Sequence, residues 1–172
     1  MFTQEEVREI TSQIRASAED SSVYIGSDSK VYSEKGVAMV AYVTVVILHF
    51  GSSKGAKIFK SHRKERYYGQ IRTRLMGEVT DVIEIGLEIT EVIGDRGFEI
   101  HLDINRDERY KSSMVVKEAT GYVLGSLGIE PKLKPDAFAA SSVADRFAVK
   151  DARKKADTPA QKRKYRRQGV KA

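Results

Sequence analysis

Four carboxylates occupy positions at which a buried strand or helix would normally carry an apolar side chain. They are Asp28, Glu78, Asp103 and Asp145. Bringing four acids together is strongly repulsive unless a cation lies among them, and their oxygen atoms suit hard ions such as Mg²⁺ or Mn²⁺. Two such ions roughly 4 Å apart activate a water molecule and stabilise the leaving oxygen of a phosphodiester. The residue types therefore predict a two-ion site with hydrolytic chemistry.

Glu78 interrupts the apolar stripe of a long helix predicted from about Gly69 to Ile93. The members of this stripe recur at spacings of four and three residues: Ile71, Leu75, Glu78, Val82, Ile85, Ile89 and Val92. An unpaired carboxylate that faces a core costs several kcal/mol, so this position indicates a cation or a set of strong donors. The alternative is a side chain that reaches solvent from the first third of the helix.

Asp28 and Asp103 each end a predicted strand, in the segments SVYIGSD and FEIHLDIN. Ligands of α/β sheets collect outside the carboxyl ends of the strands, so both acids are expected at one edge. Either aspartate alone could be only a turn former. Alternation places His101 on the same face as Asp103. Its imidazole could orient the attacking water or protonate the leaving group, and a packed structural histidine is the alternative.

Asp145 belongs to a last helix, predicted from Ala137 to about Ala148. Its face is shared by Phe138, Ser142 and Val149, and the small residues around it allow a close approach to the sheet. Asp145 would then point toward the other three acids. Asp136 is better explained as the N-cap of this helix, with a place near the metal as the alternative.

Basic residues are concentrated in two parts of the chain. The stretch KSHRKERYY interleaves cations with Tyr67 and Tyr68 and runs into the helix that carries Glu78. Phosphate contact and base stacking are expected here, with an exposed charged loop as the alternative. Lys134 could touch a phosphate or be only solvated. The candidate nucleic-acid-binding residues are Lys30, Lys60, Arg63, Lys64, Arg66, Tyr67, Arg72, Arg74, Lys134, Lys162, Arg163, Lys164, Arg166 and Arg167.

The net charge of +6 belongs to the end of the chain. Residues 146–172 hold eleven Lys or Arg and two Asp, a net charge of +9, whereas residues 1–145 carry a net charge of −3. A near-neutral body with a basic tail suggests a polyanionic partner, RNA or DNA. A tail that only improves solubility is the alternative.

The elements that must position these residues alternate between helices and strands. Thr3 and Glu6 predict a capping box at the start of a helix over residues 3–18. Three strands joined by tight turns follow, with a turn at Ser33–Gly36, and two more strands are reached through helices. We therefore expect an α/β domain over residues 1–148, with a five-stranded mixed sheet and helices on both faces. A basic, flexible tail is expected over residues 149–172. Without the first helix, this order resembles that of the ribonuclease H fold.

Several classes of protein are excluded by composition. There is no cysteine, so disulfides and thiolate zinc sites are impossible, and this fits a cytoplasmic protein. The N-terminus lacks the features of a signal peptide. The apolar run Val37–Phe50 is too short for a bilayer helix of roughly 20 residues, so no membrane association is expected.

Four motifs, in this order along the chain, carry a resemblance to a known family. They are IGSDSK, GEV, IHLDIN and KPDAFAASSVAD, within about residues 20–148. As a set, they resemble the YkuK-type ribonuclease H-like family. The resemblance implies the acidic site of ribonuclease H-like nucleases, with Asp28, Glu78, Asp103 and Asp145 as the metal-holding acids. It therefore implies a metal-dependent nuclease, and the alternative is a non-catalytic nucleic-acid or ribonucleoprotein binding module with the same fold.

Overall fold

The computed structural model describes residues 1–51 and 55–147. The tail predicted for residues 149–172 lies outside the described residues, as do its five candidate nucleic-acid-binding positions and residues 52–54. Within the described parts, no helix combines the length and the apolar character that crossing a membrane requires.

The first helix, α1, spans Gln4–Ala16 and begins as its capping box predicts. Thr3 Oγ1 accepts a hydrogen bond from the Glu6 N–H, and the Glu6 carboxylate accepts one from the Thr3 N–H at 2.7 Å. The two bonds satisfy backbone donors that the start of a helix leaves unpaired. The helix buries Val7, Ile10 and Ile14 and ends two residues earlier than predicted.

Five strands form one mixed sheet in the order β3-β2-β1-β4-β5. They are β1 (Ser22–Glu34), β2 (Val37–His49), β3 (Ala56–Arg66), β4 (Gly97–Asn105) and β5 (Lys132–Lys134). The pairs β1–β2 and β2–β3 are antiparallel, whereas β1–β4 and β4–β5 are parallel. The predicted sheet, three antiparallel strands and two reached through crossovers, is confirmed.

Two strands are longer than predicted. Strand β1 does not end at Asp28 but continues to Glu34, and the hairpin turn consists of Lys35 and Gly36, both with positive φ. A two-residue turn of this kind matches the twist of a hairpin, so the pairing of β1 with β2 continues up to Glu34 and Val37, which flank the turn. Strand β3 runs to Arg66. The basic stretch is therefore mostly an edge strand, and its interpretation as a charged loop is wrong.

The remaining elements are helical. Helix α2 spans Ile71–Ile93, a 3₁₀-helix spans Lys111–Val115, and α3 spans Val116–Leu127. A π-helix, Ala139–Ala144, lies within a helical segment over residues 138–147. The long helix is confirmed, and only its first turn begins later than predicted.

The two faces of the sheet have separate apolar cores. One face packs against α1, α2 and α3 through side chains such as Ile25, Leu48 and Ile100. The other face, which we call the π-helix face, packs Val43 and Val45 against Ala139 and Ala144. Helices thus cover both faces, as predicted.

Candidate functional site

Asp28 lies one residue beyond the end of the parallel ladder. The pairing of β1 with β4 covers Ser22–Ser27, so Asp28 is the first β1 residue without that neighbour, although β2 still pairs with it at Val43. This explains how an acid in mid-strand lies at the carboxyl edge of the parallel strands.

The environment of Asp28 disfavours the ionised form of its carboxyl group. Its side chain is almost completely buried, and Oδ1 accepts a hydrogen bond of 2.8 Å from the Ser29 N–H. Oδ2 is buried without a hydrogen bond. The pKa of Asp28 is raised from 3.8 to about 7, chiefly by burial; Lys30 lowers it, and the charges of Asp103 and Asp145 add to the rise.

The side chain of Glu78 approaches Asp28 from α2, which packs on the sheet face opposite the π-helix face. Gly77 allows this approach, because a Cβ there would lie 2.8 Å from the Tyr42 hydroxyl. Glu78 is 3% exposed, so the alternative of a solvent-directed side chain is wrong. Ser29 Oγ donates to Glu78 Oε1 at 2.5 Å, and Arg74 Nη1 donates to the same oxygen at 3.1 Å. Burial first, and then the charge of Asp28, raise the pKa of Glu78 well above its usual range.

Asp103 and Asp145 each contact a lysine ammonium group. Lys134 Nζ lies 2.7 Å from Asp103 Oδ1, and Lys30 Nζ lies 2.7 Å from Asp145 Oδ1. Lys30 Nζ is also 3.5 Å from Asp28 Oδ2. Asp103 Oδ1 is buried, and its contact with Lys134 is an ion pair without hydrogen-bond geometry. Lys134, the last residue of β5, is therefore not simply solvated but forms an ion pair with Asp103 of β4.

Three of the acids line a cleft of about 450 Å³, which we call the carboxylate cleft. Its lining consists of Asp28, Ser29, Lys30, Val31, Tyr67, Ile71, Arg74, Leu75, Glu78, Asp103, Ser112 and Lys134. Asp145 joins the acids electrostatically from the rim, through Lys30 and through its effect on the pKa of Asp28. The charges of Asp103 and Asp145 thus act on Asp28, and those of Asp28 and Asp103 act on Glu78. Three cations, Lys30, Arg74 and Lys134, compensate the four acids.

The four carboxylates are suitable ligands for a hard cation, but their present positions are not those of an ion-binding site. Asp28 and Asp103 each keep a buried oxygen without a hydrogen bond, and four carboxylates are a donor set for Mg²⁺ or Mn²⁺. Among residues 1–51 and 55–147, however, no three acidic or imidazole side chains are grouped closely enough to hold an ion. Lys30 lies between two of the acids, and Lys134 lies against a third.

His101 is buried on the π-helix face, and both of its ring nitrogens are occupied. Nδ1 accepts a hydrogen bond of 3.0 Å from the Ala139 N–H, and Nε2 pairs with Glu99 Oε2 at 3.0 Å. Nδ1 accepts, so it carries no proton, and burial lowers the pKa of the ring. These contacts favour the packed structural histidine over a proton carrier at the cleft. Ala139 begins the π-helix that leads to Asp145, so His101 anchors the segment that carries this acid.

The predicted basic residues divide into two groups. Lys30, Arg74 and Lys134 line the carboxylate cleft together with Tyr67. The others lie elsewhere: Lys60 over the Phe147 ring, Lys64 beside Glu34, Arg66 over the Tyr68 ring, and Arg72 against Glu118.

Arg63, a predicted phosphate contact, pairs with a buried acid. Its Nε donates to both oxygens of the buried Asp81, at 2.8 and 3.0 Å, and its guanidinium stacks 3.7 Å from the centre of the Tyr42 ring. Strand alternation explains this, because Arg63 shares its side of β3 with the buried Phe59, opposite Lys60 and Lys64.

Ser29 is a site residue that the sequence reasoning missed. Its hydroxyl donates to Glu78 and accepts from Arg74 Nη1 at 2.6 Å, and its carbonyl accepts from the same nitrogen at 3.1 Å. A signal was present in the sequence. Ser27 and Ser29 replace apolar residues on the face of β1 where Val23 and Ile25 enter the core.

Comparison with known proteins agrees with this architecture. A family described as ribonuclease H-like matches residues 5–149 of the chain. The chain is similar to the protein named "Uncharacterized protein YkuK" of Bacillus subtilis (strain 168), with 32% identity over 139 residues, which cover 72% of this chain and 76% of the relative. No solved structure matches the chain significantly. The family match supports a function related to nucleic acid. The chain belongs to the ribonuclease H-like family and, within it, to the YkuK type.

Proposed function

We propose that the protein is a divalent-metal-dependent nuclease that hydrolyses nucleic-acid phosphodiesters. The observation that carries the proposal is Asp28, a buried carboxylate with one unsatisfied oxygen, beside two acids whose charges oppose its ionisation. Such a group is costly to the fold unless it binds a cation. Strongly perturbed acids in a cleft are typical of functional sites.

The four carboxylates are the metal ligands in this proposal. Asp28, Glu78, Asp103 and Asp145 would hold two Mg²⁺ or Mn²⁺ ions, which supply activation of a water and stabilisation of the leaving oxygen when bound. Asp28 is the acid at the centre of the group, since the charges of Asp103 and Asp145 both act on it, and it acts in turn on Glu78.

The cations of the cleft would bind the substrate. Once the acids hold metal ions, Lys30, Arg74 and Lys134 are released from charge compensation and can donate to phosphate oxygens. Arg74 stays oriented by its bond to the Ser29 carbonyl.

The test is cleavage of labelled single-stranded and duplex RNA and DNA, RNA–DNA hybrid and a four-way junction. Each is incubated with Mg²⁺, Mn²⁺ or EDTA, using the wild type, Asp28→Asn and Asp103→Asn. Asp95→Asn is the matched control, because Asp95 is exposed in the turn before β4, at the opposite end of that strand. Metal-dependent cutting that both site variants lose and the control retains supports the nuclease.

A second candidate function, a non-catalytic nucleic-acid or ribonucleoprotein binding module, is favoured by one observation. Lys30 and Lys134 already compensate three of the four acids without any metal. Tight binding of nucleic acid in EDTA, with no cutting under either metal, would support the binding module and reject the nuclease.

A further inference from the structure

A second cavity adjoins the carboxylate cleft and has a different lining. It measures about 540 Å³, and we call it the tyrosine groove. Its lining consists of Val40, Tyr42, Glu65, Arg66, Tyr67, Tyr68, Gln70, Thr73 and Arg74. Tyr67 and Arg74 line both cavities, so the groove and the cleft lie on either side of these two side chains. A ligand that extends out of the cleft past Tyr67 enters the groove.

The groove presents an aromatic surface to solvent. Tyr68 is 79% exposed, although its ring is large and mostly apolar. The Arg66 guanidinium lies 5.7 Å from the centre of this ring, which places a cation beside the exposed aromatic face. Aromatic rings beside arginines are the elements with which proteins stack the bases of single strands and hold their phosphates.

The backbone holds this surface in place. The Tyr67 N–H donates to the Ala38 carbonyl at 2.9 Å, which ties the residue after β3 to the start of β2. Gly69 then adopts a φ of 84°, and α2 begins two residues later at Ile71. The two tyrosines therefore lie on a short, anchored connection between a strand and a helix. An anchored platform loses little conformational entropy when a ligand binds.

Polar groups complete the groove. Gln70, Thr73 and Glu65 offer amide, hydroxyl and carboxylate groups within the same lining. Thr73 Oγ1 donates to Gln70 Oε1 at 3.0 Å, and the Glu65 oxygens accept from Tyr42 and Arg63. The Gln70 amide group keeps its N–H donors for the edge of a base. A paired base has its Watson–Crick edge and both faces occupied within the duplex, so stacking on an exposed ring requires an unpaired base.

We propose that the tyrosine groove binds an unpaired nucleobase of a strand whose phosphate lies in the carboxylate cleft. The substrate class is therefore single-stranded nucleic acid, or a strand with unpaired nucleotides beside the reacting phosphate. This inference rests on the proposed function for the place of the phosphate. Binding of the base is independent of cleavage and is tested separately.

The experiment measures binding without cutting. Fluorescein-labelled oligo-dT and oligo-U of 15 nucleotides, and a DNA duplex of equal length, are titrated with the full chain in EDTA. Fluorescence anisotropy gives the Kd of each complex. We expect both single strands to bind more tightly than the duplex, and Tyr68→Ala to weaken single-strand binding at least about fivefold. Tyr68→Phe keeps the ring and should retain most of the affinity. Duplex binding should not change with Tyr68→Ala.

Tyr122→Ala is the matched control, since Tyr122 is an exposed tyrosine on α3 and lines neither cavity. Thermal denaturation checks that each variant is folded. A Tyr68→Ala variant that is folded and binds single strands like the wild type overturns the proposal, and so does a preference for duplex.

A second arm separates the two proposals. Cleavage in Mg²⁺ or Mn²⁺ can fail while Tyr68→Ala still weakens single-strand binding, and then the groove is supported and the nuclease is not. The reverse result, metal-dependent cutting with unchanged binding by Tyr68→Ala, rejects the groove and leaves the nuclease.

Discussion

The ammonium group of Lys30 lies between the carboxylates of Asp28 and Asp145, 3.5 Å from one and 2.7 Å from the other. Asp28 and Lys30 are two residues apart on one strand, so their side chains share the π-helix face. The strand thus supplies both an acid of the proposed metal site and the cation that compensates it. A metal ion that binds Asp28 and Asp145 competes with this ammonium group.

Replacement of Lys30 tests this competition. Lys30→Met should lower the stability of the metal-free protein, because two acids lose their counter-charge. It should also strengthen Mn²⁺ binding about tenfold, a change of about 1.4 kcal/mol. Isothermal titration with Mn²⁺ and melting in EDTA measure the two effects. Lys64→Met is the control, since Lys64 pairs with Glu34 outside the cleft. Equal Mn²⁺ affinities of the variant and the wild type would contradict the competition.

The pH dependence of stability reports the state of Asp28. Folding raises its pKa from 3.8 to about 7, so the folded protein binds this proton more tightly than the unfolded chain. This stabilisation is complete below about pH 4 and is lost as the pH rises through 7. In EDTA we expect the free energy of unfolding to fall between about pH 4 and pH 7, by at most roughly 4 kcal/mol, because one pKa unit corresponds to about 1.4 kcal/mol.

Denaturant titrations across this pH range, on the wild type and on Asp28→Asn, measure the effect. The variant cannot ionise at this position, so its profile should be flatter, whereas Asp95→Asn should follow the wild type. Saturating Mg²⁺ should flatten the wild-type profile as well. Parallel profiles of the wild type and Asp28→Asn would show that Asp28 does not cause the dependence.

Arg63 should be needed for stability and not for nucleic-acid binding. Arg63→Met leaves Asp81 buried without its cation, and we expect a loss of about 3 kcal/mol, since the side chain of Arg63 is 24% exposed and Asp81 is buried. Arg72→Met removes a surface pair with Glu118 and should cost no more than about 0.5 kcal/mol. Urea unfolding gives both values. A folded Arg63→Met protein that binds nucleic acid many times more weakly would restore the surface role predicted from sequence.

His101 should act by positioning the segment that carries Asp145. His101→Leu leaves the Ala139 N–H without its acceptor, and a loss of about 2–3 kcal/mol is expected. Weaker Mn²⁺ binding should accompany it. The pH profile of any residual cleavage should keep its shape if His101 only positions this segment. His49→Leu, a change at an exposed histidine, is the control. A stable variant with intact metal binding and an altered pH profile would indicate a catalytic histidine instead.

The basic tail is predicted to contribute sequence-independent affinity. Replacing its five candidate residues by Gln should reduce the slope of log affinity against log salt by between about 1 and 4. The positions are Lys162, Arg163, Lys164, Arg166 and Arg167. Anisotropy at several salt concentrations gives the slope. Arg8→Gln with Arg15→Gln, on the exposed side of α1, serves as control. An unchanged slope would favour the tail that only improves solubility.

The sequence by itself determined the features that depend on neighbours along the chain. The capping box of Thr3 and Glu6 and the apolar stripe of α2 are set by spacings of three and four residues. The strand directions followed from connection lengths, since tight turns join antiparallel strands and helices join parallel ones. The burial of Glu78 followed from the stripe as well.

Only the tertiary structure decided which charges meet. Lys30 meets Asp145, Lys134 meets Asp103, and Arg63 meets Asp81, and none of these pairs is readable from sequence distance. Lys134 and Asp103 meet through the pairing of β5 with β4. The other two pairs depend on how closely a helix approaches the sheet, as Gly77 allows α2 to approach Tyr42. A shift of one residue reverses the face of every side chain in a strand. The periodicity of the sequence therefore indicated which acids are buried, whereas the strand register and packing determine which cations they contact.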